Sequence, residues 1–282
     1  MVTMTRNLHL ATLFTTLFIA TVQAQAPSPG CRFHWQTGQT LTYRTKQTIA
    51  VTEVADGKKV ETSTALEHVK RWQVLAVDPA GVATLQMTLA HLRNETKTPS
   101  GEVFFFDSND LDKSNPDMRE QMIKYVGIPL VVLRVDARGR VVEVKESKHG
   151  SPTRYESELP FAITLPDSGV LPGQSWERHY KITLEPPHGA NDKYDSVQKY
   201  TCKNVANGMA TIHLTTTLAR LPEAPADQIP LVQAQPQGEV VFDMTRGRIQ
   251  LVKLDVDREL KDHAGEGSSF RFQASIREEL LP

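Results

Sequence analysis

Residues 39 to 54 read QTLTYRTKQTIAVTEV. Leu41, Tyr43, Ile49 and Val51 stand at odd positions, and Thr42, Arg44, Lys46 and Thr48 at even ones. Successive side chains of an extended chain point to opposite faces, so this period of two predicts a strand with one apolar and one polar face. Asp56-Gly57 supplies a turn, and Val60 to Val77 returns as a Val- and Thr-rich strand closing on Trp72, Val74 and Ala76. A second turn at Asp78-Pro79-Ala80-Gly81 leads into Leu85, Met87 and Leu89, which share one face. The meander continues through Gly101 to Asp107.

One helix interrupts this pattern. Asn115 is placed to cap a first turn that Pro116 pre-sets, with Asp117 favourable to the dipole and Met118, Met122, Tyr125 and Val126 at helical spacing. Gly127 and Pro129 end it. Strands resume at Leu130 to Val135 and Val141 to Val144 around the turn Asp136 to Gly139. They recur at 175–184, 197–205, 209–221, 239–243, 248–257 and 270–276, with Asn207-Gly208 as a hairpin turn. Roughly a dozen strands against one helix predict a mainly β fold with antiparallel connections.

The chain also matches itself. GQTLTYR from Gly38 recurs as GQSWERH from Gly173, DPAGVATLQMTLAHL as VANGMATIHLTTTLARL, and GEVFFFD from Gly101 as GEVVFD from Gly238. A competing alignment pairs VDARGR with FDMTRGR. Either predicts a long curved sheet of two similar meander halves, residues 25–150 with the helix inserted near 115–127, and residues 151–282. Leu159, Phe161, Ile163, Leu165 and Val170 make the connection at 148–173 too apolar for a flexible linker, so one continuous body is expected. The Pro-rich piece from Pro222 to Pro236 carries Ile229, Leu231 and Val232 and reads as an ordered loop over the sheet.

Residues 1–24 carry Arg6 and no acid, an apolar stretch from Leu8 to Val22 and the small-residue end Val22-Gln23-Ala24. That pattern predicts an export signal cleaved after Ala24, which places the protein in the periplasm or outside the cell. His9, Thr12, Thr15 and Thr16 interrupt the apolar stretch, which falls short of the roughly 20 residues of a spanning helix, and no second such run follows. Cys31 lies too far beyond this stretch, behind Pro29, to read as a lipidation cysteine. Cys31 and Cys202 are the only cysteines, and in an oxidising compartment they are either a disulfide pair or two unrelated buried thiols. A bridge would close a long loop and contribute ~4 kcal/mol in the chain-entropy account. The whole chain holds 32 Lys plus Arg against 33 Asp plus Glu, a balance that gives no reason to expect nucleic acid as a partner.

Chemistry-bearing motifs are sparse. The nine histidines form no HExxH or HxH, so no metal site is expected. Asp107, Asn109, Asp110, Asp112 and Asp117 suit calcium by type. Set against an EF-hand from Asp110, however, Asn115 stands where Gly belongs and Gln121 where the bidentate Glu belongs. Gly173-Gln174-Ser175-Trp176-Glu177 lacks the second glycine of a nucleophile elbow and reads as a strand start. No phosphate-cradling glycine pattern appears, and no cofactor or catalytic residue is assigned. Phe104, Phe105 and Phe106 run consecutively, so at least one faces away from the others. Two accounts suit them, burial between sheet and helix, or the lining of an apolar cavity in a curved sheet.

LPDSGVLPGQSWE, with Pro166, Pro172, Gly173 and Trp176, followed by GEVVFDMTRGRI, resembles a pattern of uncharacterised secreted β-rich proteins of bacteria. The resemblance implies an exported, duplicated β architecture and transfers no catalytic residue. A long antiparallel sheet with a helix is similar, as fold analogy only, to periplasmic lipoprotein carriers. The expectation is a non-enzymatic exported protein that binds a hydrophobic small molecule or an envelope component. The alternative is a secreted hydrolase with a noncontiguous site.

Overall fold

The computed structural model describes residues 31–186 and 189–282, and the export segment expected at 1–24 lies outside the described residues. The first half of the chain forms β1 (Thr40–Ala55), β2 (Lys58–Val77), β3 (Ala83–Lys97), β4 (Val103–Asp107), β5 (Pro129–Val135) and β6 (Val141–Ser147). The second forms β7 (Ser175–Leu184), β8 (Asp192–Ala206), β9 (Met209–Leu218), β10 (Gln237–Asp243), β11 (Arg248–Lys261) and β12 (Ser269–Leu280). All join one antiparallel sheet in the order β6-β5-β3-β2-β1-β12-β11-β10-β9-β8-β7, with β4 paired to the far end of β3. The sheet stays open, with β6 and β7 at its edges. Among the described residues three short helices accompany it, α1 (Pro116–Met122), α2 (Arg154–Ser157) and α3 (Pro225–Gln228). The fold is therefore mainly β, as the alternation in β1 predicts.

The odd residues of β1 face inward as expected, with Leu41 and Tyr43 buried. Cross-strand pairing carries that face sideways, because Leu41 stands opposite Trp72 on β2, Trp72 opposite Met87 on β3, and Met87 opposite Val131 on β5. Bulges at Ala90 on β3 and Leu75 on β2 bend this pair while keeping Lys70, Trp72 and Val74 on the inner side.

Two non-strand segments close one end of this face. Phe33 N donates to the Ala137 carbonyl and His34 N to the Gly247 carbonyl, so Cys31 to Trp35 run as a strap between the β5–β6 and β10–β11 turns. Phe161 to Leu165 lie beside it, and the Phe161 ring sits 5.2 to 5.6 Å from those of Phe33, Trp35 and Trp72. Burial of Phe161, Ile163, Leu165 and Val170 accounts for the apolar composition of the connection. A smaller core of Val232, Val256, Phe272 and Ala274 lies toward the other end, under the 3-10 turn at Ile229–Ala234.

Several expectations need correction. Asn115 does not cap α1 through its side chain, whose Oδ1 accepts instead from Phe105 N while Asn115 N donates to the Phe105 carbonyl. Pairing with the edge of β4 satisfies the amide more fully than a frayed helix start could. No residue of α1 is buried, and Met118 and Met122 are only half-covered. Of the phenylalanine run, Phe106 is fully buried and Phe105 faces outward beneath the Arg93 guanidinium, 5.3 Å from its ring centre.

The self-matches are also sharpened. β4 is a side strand on β3, whereas β10 sits in the sheet between β9 and β11, so GEVFFFD and GEVVFD are not equivalent places. VDARGR and FDMTRGR both form hairpin turns, whose Ala137 and Gly247 carbonyls hold the strap.

Candidate functional site

The inner face of the second half is only partly covered. A cleft of about 790 Å³ lies there. Its floor follows from strand register, because Tyr180, Ile182 and Leu184 alternate inward on β7. Leu214 stands opposite Gly238, Gly238 opposite Leu254, and Leu254 opposite Ile276. Gly238 leaves a gap in that row, and a Cβ there would run into the Lys253 carbonyl at a φ of 155°. Leu159 and Ala162 form one wall, and Pro230, Ala234 and Pro236 the other.

Polar groups are few and concentrated. Midway along the floor Gln198 Oε1 accepts from Arg178 at 3.0 Å and from the Tyr200 hydroxyl at 2.9 Å. The Arg178 guanidinium lies over the Tyr180 ring at 4.3 Å, and burial pulls its pKa below the usual value. At the β7 end α2 brings Arg154 to Glu158, 2.9 Å apart, and the Thr153 hydroxyl donates to Glu185 at 3.0 Å. α2 touches both edge strands, so this end lies where the open sheet curls toward itself.

A second polar group sits at the centre of the inner face. Glu278, two residues beyond Ile276 on β12, pairs with the Lys70 ammonium and accepts from the Thr45 hydroxyl at 2.7 Å. His68 stands opposite Thr45 in the same cross-strand row. Burial lowers the His68 imidazole to about 4, with the Lys70 charge adding to the effect. Burial alone would raise Glu278, but Lys70 and the hydrogen bonds overcome it and hold the carboxyl below its ordinary value.

The residues singled out from the sequence stand elsewhere. Cys31 and Cys202 are both buried in the main core, and burial pushes the Cys31 thiol up to about 12. Ser175 begins β7, with its hydroxyl 2.8 Å from that of Thr201. Asp110 is spent on Lys113 at 2.6 Å, and Asp107 Oδ1 accepts from Asn109 N. Among the described residues no group of three or more His, Cys, Asp or Glu is placed to hold a metal ion. The anticipated apolar hollow exists but not at Phe104 to Phe106. Its lining comes from five strands and three connections, at 153–162, 185–186 and 230–236.

One constellation has the composition of a hydrolytic site. His91 Nδ1 lies 2.9 Å from Ser108 Oγ and 3.9 Å from Asp107 Oδ1. A proton relay needs the nucleophile and the orienting acid on opposite ring nitrogens. Here both approach Nδ1, and Ser108 Oγ already accepts from Leu92 N at 3.1 Å.

No family model matches the chain, and no curated protein matches it. Among solved structures, DynF from the dynemicin biosynthesis pathway of Micromonospora chersina is similar at 8% identity, with 96% of this chain and 94% of that one covered and a TM-score of 0.21. The Pseudomonas aeruginosa MucA/MucB complex is similar at 8% identity over 84% of this chain and 89% of that one, with a TM-score of 0.11. Likeness at this level adds nothing to the site described above.

Proposed function

We propose that this is a non-enzymatic exported protein that holds an apolar ligand against the inner face of its open sheet. The observation that carries the reading is the cleft over Ile182, Leu214, Leu254 and Ile276, whose volume falls in the range of small-molecule sites, roughly 300 to 1,000 Å³. An uncovered apolar floor on a monomer costs free energy in water, and a ligand that covers it recovers about 25 cal/mol for each Å² removed. The hydrolase alternative finds no support in the arrangement of His91, Ser108 and Asp107.

Titration with an environment-sensitive apolar fluorophore, followed by displacement with unlabelled chains, tests this reading. Ile182→Asp places a charge on the half-buried floor and should weaken binding at least tenfold, while Leu75→Asp, on an exposed residue, leaves it unchanged. Equal binding by both variants and the parent would refute the assignment. Export predicts a mature N-terminus at Gln25. In that compartment Cys31 and Cys202 are proposed to join, which digestion without reductant would reveal as one linked peptide.

A further inference from the structure

Resting on the cleft as a ligand site, we infer that its occupant is an uncharged apolar compound whose carbonyl oxygen accepts from Gln198 Nε2. Of the polar side chains described in the lining, only Gln198 is buried, at 9% exposure. Register places it on the floor, opposite Arg178 on β7 and Thr216 on β9. Thr216 N in turn donates to the carbonyl of Pro236, which lines the same cleft.

The amide has a fixed direction. A guanidinium only donates, so the end of Gln198 that meets Arg178 at 3.0 Å is its oxygen, and the Tyr200 hydroxyl fills the second lone pair at 2.9 Å. Nε2 is thereby turned away from both. It carries two hydrogens, and among the described residues its one acceptor is Thr216 Oγ1 at 3.5 Å, well beyond the usual length of about 3 Å. At least one buried N–H is therefore left for an occupant of the cleft. Water can take it while the cleft is open, but a hydrocarbon that expels the water strands it.

That hydrogen sets the chemical class. A carbonyl oxygen accepts and brings no proton of its own. An alcohol would add a proton where Gln198 Oε1 already accepts two bonds. A carboxylate would bury a charge beside Glu158 and Glu185, and Arg154, the described cation of the lining, is already held by Glu158 at 2.9 Å. An ammonium suits those carboxylates but has only further donors to offer Nε2.

The test compares 2-dodecanone with dodecane, dodecanoate and dodecylammonium as displacers of the bound fluorophore. Bound to the parent, the ketone should show a carbonyl infrared stretch below its position in hydrocarbon solvent, the mark of an accepted hydrogen bond. Gln198→Glu keeps an oxygen for Arg178 and Tyr200 but puts a second acceptor where Nε2 stood. It should lower the ketone-to-dodecane affinity ratio roughly fivefold and return the stretch to its hydrocarbon position. Should that variant fail to fold, the stretch in the parent decides. An unshifted stretch in the parent, an unchanged ratio in the variant, or tighter binding of either charged chain than of the ketone overturns this inference and leaves the cleft reading standing. So does failure of the ketone to displace a fluorophore that Ile182→Asp still weakens. If none of the four chains displaces it and Ile182→Asp binds it like the parent, both fall.

Discussion

His68 allows the centre of the sheet to be tested by titration. Its imidazole stands on the inner face between Leu92 and Thr45, with the Lys70 ammonium and the Glu278 carboxylate as its charged neighbours. In the unfolded chain it takes up a proton as pH falls through 6.5, and in the folded protein only near 4. The folded value is depressed, so the unfolded state binds more protons in this interval. The stabilising contribution is complete above pH 6.5 and lost as pH falls toward 4. Two and a half units at 1.36 kcal/mol each give about 3 kcal/mol, and the imidazole's partial exposure reduces this to about 2 kcal/mol. With a urea slope of about 2 kcal/mol per molar, that is a midpoint shift of roughly 1 M. Urea midpoints at half-unit steps from pH 7.5 to 4.5 should therefore fall more steeply for the parent than for His68→Gln, which cannot titrate. Comparing the two profiles removes the contributions of the other histidines. Parallel profiles would refute the burial argument, as would an NMR titration of His68 near 6.5.

Lys70→Met should cost about 3 kcal/mol by leaving Glu278 ionised and uncompensated, and stability should then decline as pH rises above about 5. Lys70→Met with Glu278→Leu should regain most of that loss in the same urea assay. Gly238→Ala should lower Tm by about 5 to 10 °C, since its Cβ would push against the Lys253 carbonyl and part β10 from β11. Gly139→Ala places a Cβ 2.6 Å from the Phe33 ring and 2.8 Å from the Ile163 carbonyl at a φ of 86°. The strap should then be cut by protease ahead of the sheet, and unchanged proteolysis would refute its role as a closure.

The strands were legible because β1 obeys a period of two and its turns use residues that tolerate positive φ. Asp56 and Asn207 adopt φ of 51° beside Gly57 and Gly208, as hairpin chemistry requires. What lay hidden depends on contacts distant in sequence. Nothing local to Glu278 announces Lys70, which reaches it only because β12 lies against β1 and β1 against β2. The cleft was hidden for the same reason, since Ile182, Leu254 and Ile276 look like ordinary inward strand residues until their half-uncovered side is known. Asn115 misled because a short polar side chain before proline suits a helix start and a strand edge equally, and β4 offered the better partner.

The two halves of the chain meet along one seam and depend on each other across it. Gln39 N donates to the Gln36 carbonyl and its side chain accepts from Gln36 N, and Gln174 and Leu171 repeat both bonds. Gly38 N and Gly173 N then bond the carbonyls of Val74 and Cys202, so each half begins its first strand through the same device. Beyond that point the likeness ends, because β1 has β12 on its free side and β7 has no strand there. Twelve residues of β1 pair across this seam with β12. Thr45 and Glu278 face each other within it, with Lys70 and His68 alongside. The buried charges therefore stand where the halves join. A register slip of one residue there would carry Glu278 to the solvent face and leave Lys70 unpaired, so the ion pair selects one alignment of β12 on β1.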